Sequence, residues 1–252
     1  MTTEKKPFGA EFPPWPQVDF AAFGEIELRP VSRIQKFVSA FMARNWASIP
    51  HVTHHDEADI TELERHRKAL AETQPGMRVT PLAFFVKAVV AAMKRYPQFN
   101  ASLDADGANL VLKKYFHIGI AVDTPNGLLV PVLRDCDRKS VGEIAAEIAE
   151  VSQRAREKGL PMADMSGGCF TISSLGGIGG SAFTPIINAP EVAILGITRA
   201  REVPVRAVEG GIDWRMMLPL DLSYDHRVIN GADAARFCRA VADALAAPSE
   251  FA

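Results

Sequence analysis

The sequence predicts a mixed α/β domain. Three observations carry that prediction: helical and strand-like periodicities alternate along the chain, capping motifs open several helical runs, and 48% of the 252 residues are apolar. A chain of 27.4 kDa can bury about 70% of its unfolded surface on folding. A substantial core is therefore available without disulfides or a structural metal. Four prolines among scattered aromatics between Pro7 and Phe23 rule out a regular helix there and predict an extended arm. The expected organisation is an arm over 1–23 and one folded domain over 24–252, with no internal repeat.

In Val31–Ser48, Ile34, Phe37, Val38, Phe41 and Met42 fall at the spacing of an amphipathic helix, whose apolar stripe is expected to face a core. Asp59-Ile-Thr-Glu62 has capping-box spacing and opens a polar helix expected to stop near Pro75-Gly76. Thr80-Pro81 starts a helix that is apolar on nearly every side from Leu82 to Met93, the mark of a buried central helix. His117–Thr124 and Leu128–Leu133 read as strands around the turn Pro125-Asn-Gly127. A second capping box, Ser140-Val-Gly-Glu143, opens a helix that ends at Lys158-Gly159. Strand-like runs follow at Cys169–Leu175, Val192–Thr198 and Trp214–Tyr224. The last of them alternates Leu218, Leu220, Leu222 and Tyr224 on one face. A helix from about Ala232 closes the chain.

With 28 Lys+Arg against 30 Asp+Glu and a net charge of −2, nothing favours nucleic acid or an anionic membrane as a partner. No apolar run approaches the 20 or so residues of a membrane span, and the N-terminus lacks the pattern of a signal peptide. Cys136, Cys169 and Cys238 are odd in number, widely spaced and without a CxxC pair, which points to a reducing, cytoplasmic setting.

Several motifs invite chemistry. Gly177-Ile-Gly179-Gly-Ser-Ala182 matches a dinucleotide fingerprint, but Pro185 and Pro190 interrupt the helix that such a loop must open. His51, His54, His55 and Asp56 are metal-ligand types. On a strand, however, they divide between two faces, so no metal site is expected. Ser173, Ser174 and His226 suggest a serine hydrolase, yet neither serine has the glycine two residues before it that the nucleophile elbow needs. The most informative segment is Asp225-His-Arg-Val-Ile-Asn-Gly231, after a strand and before a helix. Alone, its histidine reads as structural and Asn230 as a helix N-cap.

The wider segment SYDHRVINGADAARF resembles the HxxxDG motif of the dihydrolipoamide acyltransferases, the core subunits of 2-oxo acid dehydrogenase complexes. FTISSLGGIGG, AFTPIINAPEVAILG, HIGIAVDTPNGLLVPV, IPHVT and ADITELE resemble successive blocks of the same catalytic domain, in order, over roughly Phe23 to Ala246. The resemblance implies a chloramphenicol acetyltransferase-like mixed sheet flanked by helices. It also implies transfer of an acyl group between dihydrolipoyl and coenzyme A thiols. ISSLG is closer to the acetyl-type members of pyruvate dehydrogenase complexes than to succinyl-type members, where threonine is usual at the Ser173 position.

By the same resemblance, His226 is the general base and Ser173 the donor to the oxyanion. Arg33 holds the residue at 230, usually aspartate and here Asn230. The site lies between subunits of a homotrimer, with the histidine and the serine from different chains. Coenzyme A is a substrate. No lipoyl-lysine motif is present, so the lipoyl group is expected from another domain or chain, and other subunits of the complex are possible partners. The alternative is a non-catalytic scaffold subunit, suggested by Asn230 and the missing lipoyl motif; acceptors other than dihydrolipoyl are a third reading. The resemblance also implies that trimers join into shells through apolar residues at the extreme C-terminus; here Phe251, beside Pro248 and Glu250, is the single large apolar residue there, so a discrete trimer and not a larger shell is expected.

Overall fold

The computed structural model describes residues 15–73, 79–125 and 127–251, Ala71 and Phe251 by their backbone only. Five α-helices are found among them, at Arg33–Ser48 (α1), Thr61–Thr73 (α2), Pro81–Arg95 (α3), Val141–Lys158 (α4) and Gly231–Ala246 (α5). The strands are His51–Asp59 (β1), Ala101–Leu103 (β2), Leu110–Leu112 (β3), Ile118–Ile120 (β4), Val122–Thr124 (β5) and Gly127–Leu129 (β6). They continue with Val132–Leu133 (β7), Phe170–Ser174 (β8), Ala193–Ile197 (β9), Arg201–Arg206 (β10) and Ile212–Asp225 (β11). Seven strands make one sheet in the order β1-β11-β9-β8-β4-β7, with β10 also on β11. β8 runs parallel to β4 and β9, and the remaining pairs are antiparallel. The predicted mixed sheet with flanking helices is what forms.

One face of this sheet is the core. Leu220, Leu222 and Tyr224 of β11, Leu195 of β9, Ile172 of β8 and Ile118 of β4 are all buried, as the alternation predicts. The buried α3 and the amphipathic α5 cover that face. Phe237 of α5 stacks on Phe99 at 3.9 Å between ring centroids and reaches Phe170 at 5.7 Å. Pro219 lies inside β11 yet interrupts no ladder on the far side from β1. β10 pairs with β11 up to Met217 and β9 takes over from Leu220, so the absent N–H falls at the changeover.

The opposite face is polar and closely packed. Gly196 pairs with Ser173 on one side and Asp221 on the other. A Cβ on Gly196 would lie 2.7 Å from the Phe183 ring and 3.2 Å from Asp221 Cβ. Gly196→Ala should therefore destabilise the fold by about 1–3 kcal/mol, measured by urea unfolding; a loss under half a kcal/mol would mean that Phe183 moves freely aside.

Several expectations are corrected. α1 forms, with a complete Ser32/Gln35 capping box, but its stripe faces outward: Ile34 is 51% exposed and Phe37 50%. Only Asn45 of this helix is buried. The Ser140/Glu143 box is present at α4, whereas Asp59 instead accepts from the Thr61 N–H and hydroxyl and Glu62 turns to Arg65. The expected stop at Pro75-Gly76 and the turn residue Asn126 lie outside the described residues. Thr124 does pair with Gly127, but the hairpin's outer arms, β4 and β7, belong to the main sheet while β5 and β6 form a separate ribbon. No helix follows Gly177–Ala182, so a phosphate-binding helix N-terminus is absent there. Among the described residues no helix is long and apolar enough to cross a membrane.

Candidate active site

β11 ends at Asp225, and His226 begins the turn that leads to α5. Two backbone bonds tie this point to other segments: the His226 N–H donates to Pro50 O at 3.1 Å and the Asp225 N–H to Val192 O at 2.9 Å, while Asp225 O accepts from the Val228 and Ile229 N–H groups within the turn. The Asp225 carboxylate, itself buried, accepts from the Arg227 N–H and from its guanidinium. The His226 side chain is exposed, with its ring 5.9 Å from that of Tyr224. Among the described residues no hydrogen bond reaches the ring.

Asn230 closes the same turn as the N-cap of α5. Its Oδ1 accepts from the Asp233 N–H at 2.9 Å and its Nδ2 donates to the Asp233 carboxylate at 2.8 Å. Arg33 stands exposed in the first turn of α1, and no hydrogen bond joins it to Asn230. The expected Arg33–Asn230 contact is thus not an intrachain one. An asparagine before an amphipathic run is a capping signal, and the cap is what one chain realises.

Ser173 lies far from this turn. It aligns with Gly196 and, through it, with Asp221, while His226 is five residues further on, just past the end of β11. Two strand spacings and five residues of rise separate their Cα atoms by about 20 Å. A single reacting carbon cannot lie near both groups at that separation.

Behind Ser173 is an acid that local sequence pattern does not flag. Glu191 is buried and accepts from the Thr171 hydroxyl at 2.7 Å, two residues before Ser173 on the same strand face. Two glycines make room: a Cβ on Gly168 would meet Glu191 Oε1 at 2.7 Å, and one on Gly119 would meet Thr171 Oγ1 at 2.8 Å. Burial pushes the Glu191 carboxyl up to about 7, against the pull of Thr171 and Lys113. Between the ordinary carboxylate pKa and about 7 the folded chain therefore holds a proton that the unfolded chain has lost. The stability due to this group is full at the acid end and declines as pH rises through that window. Glu191→Gln should flatten this part of the curve of melting temperature against pH, and an unchanged slope would contradict the assignment.

His54 and Asp56 of β1 do converge with a third ligand type, Cys238 of α5, all within 4.8 Å. Arg239 Nη1, however, sits 3.0 Å from both Asp56 oxygens, and burial pushes the Cys238 thiol up to about 12. The carboxylate already has a fixed cation beside it, and the thiol resists ionisation. His51 and His55 are engaged elsewhere, with Ile49 and Ile187 and with Asp221 respectively.

Residues 23–252 match the family model of the 2-oxoacid dehydrogenases acyltransferase (catalytic domain). The chain is 58% identical over 226 residues to the dihydrolipoyllysine-residue acetyltransferase component of the pyruvate dehydrogenase complex of Cupriavidus necator, covering 89% of this chain and 40% of that protein. It spans about two-fifths of the length of the curated relatives it matches. Two solved structures each share 52% identity with it at a TM-score of 0.90, covering 93% of this chain and 97% of theirs. One concerns the role of a serine, a histidine and an asparagine in the catalytic mechanism of Azotobacter vinelandii dihydrolipoamide acetyltransferase. The other is the cubic core of the pyruvate dehydrogenase multienzyme complex. A chloramphenicol acetyltransferase, 18% identical at a TM-score of 0.55, shares the fold. With a match running from Phe23 to the last residue, the chain belongs to the family of 2-oxoacid dehydrogenase acyltransferase catalytic domains.

Proposed function

We propose that this domain transfers an acetyl group between the thiols of a dihydrolipoyl group and coenzyme A, in sites formed between the chains of a homotrimer. The observation that carries the reading is the identity of more than half over nearly the whole chain to acetyltransferase components. His226 is the general base in this reading. A thiol with a pKa of about 8.5 is only a few per cent thiolate at neutral pH, so a base at the attacking sulfur raises the reactive fraction as it adds to the thioester carbonyl. The Ser173 hydroxyl donates to the oxyanion of the tetrahedral intermediate. Collapse of the intermediate expels the second sulfur, to which the imidazolium returns its proton. Coenzyme A and the lipoyl group are substrates, the latter carried by another domain or chain.

The separation of Ser173 from His226 supports a two-chain site, because each chain can offer one group to a neighbour. The outward apolar face of α1 fits the same arrangement: it carries Ile34 and Phe37 beside Arg33 and gives a partner chain something to cover. Asn230 does not favour an inactive scaffold, since the histidine and asparagine studied in the Azotobacter relative stand four residues apart, as His226 and Asn230 do. The three cysteines are free and buried, which fits a reducing cytoplasm. An assay with acetyl-CoA and free dihydrolipoamide tests the function. Formation of S-acetyl-dihydrolipoamide and free coenzyme A is expected, and a folded, assembled protein with no turnover would overturn the reading. The trimer is the whole assembly in this account, although the Phe251 side chain on which that turns is outside the described residues; light scattering showing a particle many times the trimer mass would contradict it.

A further inference from the structure

The His226 turn is closed on itself by the Asp225 carbonyl, which accepts from the Val228 and Ile229 N–H groups, and the two backbone bonds that tie it to the rest of the fold end on segments far apart in sequence. Pro50 O belongs to the joint between α1 and β1, and Val192 O to the irregular segment before β9. One side chain ties these segments together. The Ile187 N–H donates to His51 Nε2 at 3.0 Å, and His51 Nδ1 lies 2.8 Å from Ile49 O. A backbone N–H can only donate, so Nε2 is the acceptor and Nδ1 carries the proton that Ile49 O receives. The ring is therefore neutral, in one tautomer, with both nitrogens engaged.

The surroundings reinforce the tie. Asn45, the buried residue of α1, donates from Nδ2 to Ile187 O at 3.0 Å. Ile49, Ile187 and Ile194 form a small apolar cluster of their own beneath the joint. The Trp46 ring stacks on His51 at 5.5 Å and 27°. A closed circuit results, from His226 through Pro50 and His51 to Ile187, along to Val192, and back to Asp225.

We propose that His51 is a positioning residue for His226, acting through the Pro50 carbonyl; the inference rests on the general-base reading of His226. Its ring fixes the distance between the two segments that anchor the turn and so fixes where the His226 imidazole starts. Reaction rates are sensitive to such placement, since a misplacement of about 1 Å can cost on the order of 10²-fold.

The test compares His51→Ala, His51→Gln and His51→Asn, with His226→Ala in parallel, reading kcat and KM per assembled protein. Glutamine carries an acceptor near the place of Nε2 and keeps the bond from Ile187; asparagine is too short to reach it. His51→Ala and His51→Asn are expected to lower kcat by about 10- to 100-fold with KM changed less than about twofold, and His51→Gln to recover most of the loss. Wild-type kcat in the alanine variant, or equal kcat in the glutamine and asparagine variants if alanine fails to fold, would overturn the positioning role. If His226→Ala is inactive in the same assay, the base reading survives that failure. Turnover retained by His226→Ala would instead overturn the base reading itself.

Discussion

His226→Ala is expected to lower acetyl transfer by about 10²–10⁴-fold with the fold and assembly intact. The size of the effect comes from the thiol. With the imidazole removed, attack must wait for the few per cent of thiolate that the solvent supplies at neutral pH, and the departing sulfur loses its proton donor. Stability should hardly change, because the ring is exposed and accepts or donates no hydrogen bond among the described residues, while the bond to Pro50 O uses the backbone N–H, which alanine keeps. Turnover should recover in part as pH approaches the thiol pKa. A variant with near-wild-type turnover at neutral pH would remove His226 from the mechanism.

Ser173→Ala is expected to cost about 10²–10³-fold in kcat. The hydroxyl acts on the tetrahedral oxyanion more than on the ground-state carbonyl, so KM should move little and the loss should fall on kcat. Ser174 is the necessary comparison. Ser173 precedes His226 by 53 residues and Ser174 by 52, and the serine studied in the Azotobacter relative precedes its histidine by 52, so spacing alone favours Ser174 and the choice of Ser173 rests on its strand face. Ser173 shares its strand face with Thr171 and has the bare Gly196 beside it, whereas Ser174 alternates to the other face. Ser174→Ala is therefore expected to keep wild-type kcat to within a few fold; the reverse pattern would move the oxyanion donor by one residue.

Much of this organisation is legible in the sequence, where local pattern and burial agree. α3 is apolar on nearly every side and is buried from Ala83 to Met93 save at Lys87 and Ala91; α4 carries its capping box in the sequence and in space; the leucines of β11 alternate and pack on the core. Three features are not legible, each for a physical reason. The stripe of α1 shows that an apolar partner is needed without showing whose, and among the described residues of the chain nothing covers it. β1 reads as polar because His54 and Asp56 occupy positions on its inner face, where Arg239 and Cys238 meet them. β10 contains Pro204, which suits a strand paired on one side only and hides the strand from a propensity reading.

The candidate site divides in the same way. His226 and Ser173 stand out through resemblance, and Asn230 through its capping pattern. Glu191 and His51 carry no local signal, since their roles arise from contacts with residues 20 and 136 positions away. The Arg33–Asn230 pairing is the instructive difference: within the chain, Asn230 caps the first turn of its own helix and Arg33 does not reach it, while its amide keeps a further acceptor and donor position open.

The central claim is that one working site takes its histidine from one chain and its serine from the next. Mixing tests it most directly: inactive His226→Ala and Ser173→Ala chains are unfolded, combined in equal amounts and reassembled, and turnover is compared with each variant reassembled alone. In a cyclic trimer, random assortment gives about one quarter of interfaces an intact histidine on one side and an intact serine on the other. The account predicts recovery of about a quarter of wild-type turnover in the mixture and none in either variant alone. A mixture that assembles to the wild-type mass and stays as inactive as its components would contradict it, placing both groups of each site within a single chain.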